Sequence, residues 1–351
     1  MGPLPERAVR ASTDALSKQQ DPSFYPFSEW NAYPDVTREL LSKLLGGSPS
    51  SISHHTSVSE VISTISMGFD FREGDEVITF DGDYPSNILP WMLNEKRIDY
   101  RFKKLPIHLL YDPKALESEI SKNTRIIDFS HVSFNTGRKA PLNELERIFK
   151  KNNIFTILDV SQSFGGSQIS PDELGGIDVL CGVTYKWLLG PYGHAFARWS
   201  DRALGLIHRT QANWLVSPNS QTTSDLLRYT IDSLPGACRF DRGQTPNCVV
   251  LSALNASLEL LLEIGLKNIE KHNLELAKLF ISGVDSSRFD LSGDNTIVVA
   301  TPKKKSADDL KAYLQSKNID CSLREGSCRF AFHLFNTETE IQTTVNALNQ
   351  F

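Results

Sequence analysis

The residues best suited to chemistry are a carboxylate and a lysine that each follow an apolar run of strand-forming residues. Asp159 lies near the end of a predicted strand over Phe155–Val160, and Lys186 comes shortly after a second predicted strand over Val179–Thr184. In an open α/β sheet, ligands bind outside the carboxyl ends of the strands. We therefore expect Asp159 and Lys186 to face one ligand from different sides.

This pair of residue types is what pyridoxal 5′-phosphate (PLP) requires of a protein. A lysine amine tethers the cofactor as a Schiff base and becomes a base once substrate displaces it. A buried carboxylate keeps the pyridine nitrogen protonated, so that the ring draws electrons from a carbanion on the substrate. The sequence thus predicts Lys186 and Asp159 as catalytic residues, against the plainer alternatives of a surface lysine and a helix cap at a strand end.

The motifs around both residues, Asp159–Gly165 (DVSQSFG) and Thr184–Gly190 (TYKWLLG), resemble those of the class V aminotransferase family of fold type I PLP enzymes. The similarity is greatest to the branch of selenocysteine lyases, cysteine desulfurases and isopenicillin N epimerases, and it covers nearly the whole chain. It implies PLP as the cofactor and an amino acid as the substrate. The reaction implied is lyase, epimerase or aminotransferase chemistry at the α-carbon, through an external aldimine and a quinonoid.

The resemblance also implies roles for three polar residues. Gln162 matches the residue that hydrogen-bonds the ring oxygen of the cofactor. Asn135, in the segment His131–Gly137 (HVSFNTG), matches a polar residue that faces this oxygen or the substrate, in a register that could slip by one. Arg329 matches the arginine that holds the substrate α-carboxylate through a bidentate fork, which a lysine cannot supply. A surface ion pair is the alternative for Arg329, and Arg324 could share the anion.

The predicted phosphate ligands lie at the start of a helix. His55 and Thr56 precede a predicted helix over Ser57–Met67, and the free N–H groups and dipole of a helix N-terminus attract anions. The family has a small residue and a threonine here, so we predict that Thr56, with the backbone of His55, binds the phosphate; an ordinary helix cap is the alternative. Thr184 is a further candidate, because Tyr185 replaces the family's histidine beside the lysine.

Two more residues complete the predicted site. Tyr84 matches an aromatic residue that stacks on the cofactor, where many desulfurases have histidine; a core tyrosine is the alternative. Thr245 matches a threonine that reaches the phosphate of the neighbouring subunit, although it could equally cap the predicted helix Val249–Glu263. The resemblance therefore implies a homodimer with the active site at the subunit interface.

Strands that alternate with helices indicate an α/β fold with a mainly parallel sheet. Further strands are predicted at Glu76–Phe80, Arg125–Val132, His194–Trp199 and Thr296–Ala300, and further helices at Val36–Leu45, Leu142–Lys150, Lys267–Ser282 and Ala307–Ser316. The resemblance implies a large domain with a seven-stranded, mainly parallel sheet flanked by helices, and a small α+β C-terminal domain. We place the PLP-binding domain at residues 1–245 and the small domain at 246–351.

The composition argues against several classes of protein. The 351 residues are 40% hydrophobic, which is enough for a large core, and a net charge of −5 gives no reason to expect a nucleic-acid or membrane partner. The five cysteines lie far apart, without the spacing of a metal site or a disulfide framework. No signal segment or membrane span is evident. We predict a cytoplasmic enzyme without a metal.

The departures from the family leave the reaction open. Cys321 and Cys328 lie in a compact segment rather than in a mobile loop, so sulfur transfer through an enzyme cysteine is not expected; desulfurase-type or selenocysteine lyase-type cleavage is the alternative reaction. The chain begins within what resembles the middle of the family's first motif, so either the enzyme lacks the opening strand of that motif or the given sequence starts late. A non-catalytic PLP-fold binding protein is the alternative of another class. Candidates for a second acid or base are Tyr84, Tyr185 and His333.

Overall fold

A computed structural model describes residues 2–21, 27–169, 175–221, 227–242 and 247–351. Their contacts form two compact units. The first contains Met1–Ser130, Pro141–Ser161 and Ile169–Glu263, and the second contains His131–Ala140, Gln162–Gln168 and Ile264–Phe351. The predicted domain boundary between residues 245 and 246 lies outside the described residues and stays a prediction.

The first unit is built on a seven-stranded sheet. Its strands in chain order are β1 (Ile52–His55), β2 (Glu76–Asp81), β3 (Arg101–Pro106), β4 (Thr124–Ser130), β5 (Phe155–Asp159), β6 (Val179–Val183) and β7 (Ala195–Trp199). Their order in the sheet is β1-β7-β6-β5-β4-β2-β3. The strands from β3 to β6 pair in parallel, whereas β7 pairs antiparallel with both β6 and β1. The predicted mainly parallel sheet is confirmed.

Helices accompany this sheet along the chain. They are α1 (Glu6–Lys18), α2 (Phe27–Leu45), α3 (Val58–Gly68), α4 (Leu89–Glu95), α5 (Pro113–Glu119), α6 (Leu142–Lys151), α7 (Asp201–Leu206) and α8 (Cys248–Ile264). Helix α3 matters most for the site, because its buried residues Val61, Ile62 and Ile65 join a core cluster with the strands β2, β4, β5 and β6. Burial of this apolar face fixes the position of the α3 N-terminus, which begins two residues after Thr56.

The second unit has an antiparallel sheet in the order β10-β11-β9-β8. Its strands are β8 (Phe289–Ser292), β9 (Ile297–Pro302), β10 (Ser322–Arg324) and β11 (Ser327–Ala331), and its helices are α9 (Leu266–Gly283), α10 (Ala307–Ser316) and α11 (Glu338–Gln350). Phe280, Val298 and Phe330 belong to its core. This is the small α+β arrangement expected for the C-terminal part of the chain.

Most predicted elements agree with the structure to within two residues at each end. The main exception is α2, which begins at Phe27 rather than Val36 and continues through Pro34. The predicted ranges also omitted the strands β1, β3, β8, β10 and β11, which carry polar or charged residues that weaken the apolar strand pattern, and the helices α1, α4, α5, α7 and α11. No single helix in the described part of the chain is long and apolar enough to cross a membrane; one bent pair, α8 with α9, meets the criteria of length and composition only jointly.

Candidate active site

Lys186 lies in a tightly held turn after β6. The Gly190 N–H donates to the Thr184 carbonyl at 2.8 Å, and the Thr184 hydroxyl donates to the His194 carbonyl at 3.1 Å. The N-terminal segment covers the outside of this turn: the Gly2 N–H donates to the Tyr185 carbonyl at 3.3 Å, and a Cβ on Gly2 would stand 2.5 Å from the Lys186 carbonyl oxygen. The backbone of the lysine therefore has little freedom to move.

The Lys186 side chain lies beside aromatic rings. Its Nζ is 5.4 Å from the ring centroid of Tyr84 and 6.0 Å from that of Tyr185, which is the range of cation–π contacts. Tyr84 is 39% exposed. The alternative of a core tyrosine is therefore excluded, and the Tyr84 ring is available to cover a ligand attached to the lysine.

Asp159 is the last residue of β5 and is 4% exposed. Its Oδ1 accepts the Ser161 N–H at 2.8 Å. Burial raises the pKa of this carboxyl, while the hydrogen bond from Ser161 and the positive charge of Lys186 act in the opposite direction. The structure thus brings the predicted acid and the predicted lysine within electrostatic reach of each other, as the positions of the two strand ends suggested.

Two further buried carboxyls lie near Asp159. Asp83 accepts the Ser130 hydroxyl at 2.6 Å and the Ser130 N–H at 2.9 Å, and burial raises its pKa. Asp128 accepts the indole N–H of Trp91 at 2.7 Å, and burial raises its pKa well above the ordinary value. Burial therefore raises the pKa of all three carboxyls in this cluster, and the hydrogen bonds that they accept oppose this shift.

The predicted phosphate ligand Thr56 already has an acceptor. Its N–H and its hydroxyl both donate to Glu60 Oε2 at 2.7 Å, and the other oxygen of Glu60 pairs with Arg242. Ser57, rather than Thr56, caps α3 by accepting the Glu60 N–H. The helix-cap alternative for Thr56 is thus excluded, but a phosphate at this position must compete with the Glu60 carboxylate.

His55 and Thr56 also line a cavity of about 400 Å³ in the first unit. Burial lowers the pKa of His55 to about 3, as it does for His194. These imidazoles are therefore neutral near pH 7, and the positive charge at this cavity comes from Arg38 and Arg242. Arg38 is paired with Asp241, whose pKa burial raises to about 6 despite that contact. We take this pair as ionic near pH 7, because the two side chains are in direct contact.

Thr184, the second predicted phosphate ligand, is fully buried. Its hydroxyl proton is used within the lysine turn by the His194 carbonyl. To bind an anion, Thr184 would have to give up this bond. Its role in phosphate binding stays a prediction.

Three predicted residues belong to the second unit. Gln162 is 8% exposed and precedes Ser163, whose hydroxyl hydrogen-bonds His131 Nδ1 at 2.9 Å. Arg329, in β11, donates from Nη1 to the Phe134 carbonyl at 2.8 Å, beside Asn135. Within this unit the structure therefore brings the candidate substrate arginine to the segment that carries Asn135.

The remaining predictions concern Thr245 and the cysteines. Thr245 lies outside the described residues, and its role stays a prediction. Cys321 is 8% exposed and Cys328 is fully buried. Neither thiol lies where a reactive, mobile cysteine would be expected.

Sequence reasoning missed the residues that hold the predicted ones. Asn87 and Ser130 hydrogen-bond within the acid cluster, and Glu60 and Arg242 occupy the predicted phosphate position. One signal was present in the sequence: Asn87 and Ser130 are polar residues in otherwise apolar segments close to Tyr84 and to a strand end. The contacts of Glu60 and Arg242 join distant parts of the chain and have no local signature.

Comparison with known proteins gives a consistent result. The family model for aminotransferase class-V matches residues 28–344. A probable cysteine desulfurase of Methanothermobacter thermautotrophicus is 26% identical over 252 residues, which cover 71% of this chain and 60% of that protein. This chain thus spans less than two thirds of that relative. An isopenicillin N epimerase of Amycolatopsis lactamdurans is 24% identical over 383 residues, covering 99% of this chain and 92% of that protein.

A solved structure is similar over almost the whole chain. It is a variant of C-DES with glycine covalently linked to its PLP cofactor, and it superposes with a TM-score of 0.89 at 18% identity, covering 99% of this chain and 94% of that one. At this identity the likeness shows the fold alone. It confirms the predicted fold type.

Proposed function

Because the chain belongs to the class-V aminotransferase family and is a PLP-dependent enzyme, we propose that it acts at the α-carbon of an amino acid with Lys186 and Asp159 as catalytic residues. The observation that best supports these roles is that three side chains of the first unit lie close together. A lysine on a rigid turn, a buried carboxylate at the end of β5 and the partly exposed ring of Tyr84 fit the chemistry of the cofactor.

Each of these side chains has a definite task. Lys186 Nζ would hold the cofactor and, once free, would take the proton from the substrate α-carbon. Asp159 would hold the proton on the ring nitrogen, and Tyr84 would cover one face of the ring. Bound PLP supplies the electron sink for the developing negative charge on the α-carbon.

The other predicted residues would bind rather than react. Thr56, the backbone of His55 and Thr184 would hold the phosphate, and Gln162 and Asn135 would contact the ring oxygen. Arg329 would hold the substrate α-carboxylate. Thr245 of the partner subunit would add a phosphate contact, so we propose a homodimer with the active site at the subunit interface, located in the cytoplasm.

The class of reaction follows less directly. Relatives named as a desulfurase and an epimerase make cleavage of a carbon–sulfur bond and inversion at the α-carbon the first reactions to test. The burial of Cys321 and Cys328 favours a reaction that releases its products without a persulfide on the enzyme. A lyase, an epimerase or an aminotransferase would all use the same catalytic lysine.

The test is a spectrum of the purified protein, recorded before and after PLP and then with a panel of L- and D-amino acids that includes cysteine and cystine. We expect a visible or near-ultraviolet band that shifts with one class of amino acid. Release of sulfide, formation of the opposite enantiomer, or formation of a keto acid would then separate the three reactions. A protein that takes up no PLP would contradict the proposal.

A matched variant tests the lysine itself. After borohydride reduction, the wild-type protein should carry the mass of the cofactor on a peptide that contains Lys186. The Lys186→Ala protein should carry none and should have no turnover. Labelling of another lysine in the wild-type protein would move the catalytic assignment away from Lys186.

A further inference from the structure

The hydroxyl of one buried serine joins the two ends of the turn that carries Tyr84. Ser130, the last residue of β4, is 5% exposed, and its hydroxyl donates to Asp83 Oδ1 at 2.6 Å. The same hydroxyl oxygen accepts a hydrogen from Asn87 Nδ2 at 3.0 Å. Asp83 directly precedes Tyr84 in the chain, and Asn87 follows soon after it. Ser130 therefore fastens this turn on both sides of the tyrosine.

The two contacts do not compete for the same part of the serine. A hydroxyl has one hydrogen and two lone pairs, so Ser130 gives its hydrogen to Asp83 and offers a lone pair to Asn87. The backbone N–H of Ser130 adds a third bond, to Asp83 Oδ2 at 2.9 Å. All three residues are buried, so water competes little for these bonds.

The turn has hydrogen bonds of its own, and these reach the backbone of the tyrosine. Asp83 Oδ1 accepts the backbone N–H of Tyr84 at 2.6 Å, and the Tyr84 carbonyl accepts the backbone N–H of Asn87 at 2.9 Å. A functional side chain on a turn keeps its place only if neighbouring residues hold the turn. Here the backbone of Tyr84 is bonded to both residues that Ser130 holds.

The location of Ser130 in the sheet connects this turn with the proposed chemistry. In the register of the parallel strands β4 and β5, Ser130 is the direct partner of Asp159. The ring centroid of Tyr84, in the turn that Ser130 holds, lies 5.4 Å from Lys186 Nζ. One serine at a strand end thus lies between the strand that carries the proposed acid and the residue that we propose to cover the cofactor ring.

We propose that Ser130 is a positioning residue that sets the place of the Tyr84 ring over the cofactor. This inference rests on the proposed function, because it assigns Ser130 a task through Tyr84. It goes beyond that function by naming the group that holds the covering ring in place. Stacked rings attract each other only within a narrow range of distances and offsets, so a small shift of the turn should weaken cofactor binding. Ser130 itself touches neither substrate nor cofactor in this scheme.

The test is a double-mutant cycle on the affinity of the cofactor-free protein for PLP, measured by absorbance titration. Tyr84→Ala should raise the dissociation constant by about threefold to tenfold, because the stacking of one ring is lost. Ser130→Ala should raise it by about threefold in the protein that retains Tyr84. Added to Tyr84→Ala, the same substitution should change it by less than about twofold, because no ring is left to misplace. The readout does not depend on turnover.

Ser66→Ala is the matched control. Ser66 is a fully buried serine in α3 whose hydroxyl also accepts from an asparagine amide, that of Asn94, and donates to the Ser63 carbonyl at 3.1 Å. Its substitution should lower stability similarly but should change the affinity for PLP by less than about twofold, with or without the Tyr84 ring. Circular dichroism and the melting temperature would show that each variant is folded.

A second variant covers the case in which Ser130→Ala does not fold. Ser130→Cys keeps the shape of the side chain, but a thiol is a weak donor and a weak acceptor. It should show the same dependence on Tyr84. Equal changes in affinity with and without the Tyr84 ring, or no change in folded Ser130 variants, would overturn this inference alone. An unchanged affinity in Tyr84→Ala would overturn the proposed role of Tyr84 as well, and the two failures are thus distinguishable.

Discussion

Glu60 Oε2 accepts both the N–H and the hydroxyl of Thr56 at 2.7 Å. Thr56 is the residue that the sequence predicts to bind a phosphate, and both of its donors are thus already hydrogen-bonded to a carboxylate. The guanidinium of Arg242 pairs with Glu60 and balances the negative charge of this carboxylate. An anion that binds at the start of α3 must therefore displace this carboxylate or accept its repulsion. The affinity of this position for a phosphate therefore depends on the charge of Glu60.

Glu60→Gln should tighten the binding of PLP. The glutamine keeps the shape and an acceptor for Thr56, but it removes a like charge and releases Arg242 to face the phosphate. We expect the dissociation constant of PLP to fall by about tenfold, while that of pyridoxal, which has no phosphate, should not change. Glu263→Gln, at an exposed pair with Arg7, is the control. Equal effects on PLP and pyridoxal would place the phosphate elsewhere.

Asp159→Asn should leave the cofactor attached to Lys186 but slow turnover by about 100-fold or more, because a neutral amide cannot hold a proton on the ring nitrogen. The comparison is Asp128→Asn, a substitution at a carboxyl whose pKa burial raises well above its ordinary value. Its turnover should stay within about threefold of the wild-type value. If both variants had the same rate, Asp159 would not be the partner of the ring nitrogen. Steady-state kinetics and the spectrum of the bound cofactor measure both effects.

Gly2→Ala should disturb the lysine turn, because the added Cβ would stand 2.5 Å from the Lys186 carbonyl oxygen. A shift of this turn misplaces the amine, and small displacements of reacting groups are costly. We expect covalent attachment of PLP, followed by its absorbance after addition to the cofactor-free protein, to slow by about tenfold. Gly205→Ala is the control, since a Cβ at Gly205 meets nothing within 4 Å. An unchanged rate in Gly2→Ala would mean that the N-terminal segment does not position the lysine.

Arg329→Lys should raise KM for the amino-acid substrate by on the order of tenfold or more, because an ammonium cannot form the bidentate contact with a carboxylate. The affinity for PLP should stay the same. Arg324→Lys provides the comparison at the other candidate arginine, which donates to its neighbouring Leu323 carbonyl at 2.7 Å. If Arg324→Lys raised KM and Arg329→Lys did not, the roles of the two arginines would be exchanged.

His194→Gln should make the stability of the protein less dependent on pH. The pKa of His194 is lowered to about 3, chiefly by burial and also by the charge of Arg38, whereas in the unfolded chain it is about 6.5. Between these values the unfolded state binds the proton more strongly. The contribution of His194 is therefore complete above about pH 6.5 and is lost as the pH falls toward 3.

The contribution of His194 to the free energy of unfolding is expected to fall by about 1.4 kcal/mol for each pH unit below 6.5. Urea unfolding at pH 7.5 and 5.5 should therefore show a smaller decrease for His194→Gln than for the wild-type protein, by about this amount. His54, which contacts His194 at 3.0 Å, titrates in the same direction and remains in both proteins. His208→Gln, at an exposed pair with Asp70, is the control. An equal decrease in all three proteins would contradict the assignment of a neutral His194.

The sequence by itself was enough to predict the α/β fold and the two residues, Asp159 and Lys186, to which we assign the proposed chemistry. Apolar runs that end at Asp159 and just before Lys186 predicted strand ends, and parallel strands bring their carboxyl ends to one edge of the sheet. The resemblance of the surrounding motifs supplied the family and the cofactor. Such strands can be predicted from the sequence because a strand that is buried on both faces requires apolar residues at consecutive positions.

Only the tertiary structure decided what surrounds these residues. It showed that Asn87 donates to Ser130, that Ser130 donates to Asp83, and that Thr56 donates to Glu60. It also extended α2 through Pro34, against the usual tendency of proline to end a helix. These contacts join side chains far apart in the chain, and a hydrogen bond depends on distances of a few tenths of an ångström. No periodicity in the sequence encodes such distances; the packing of the sheet and its helices sets them.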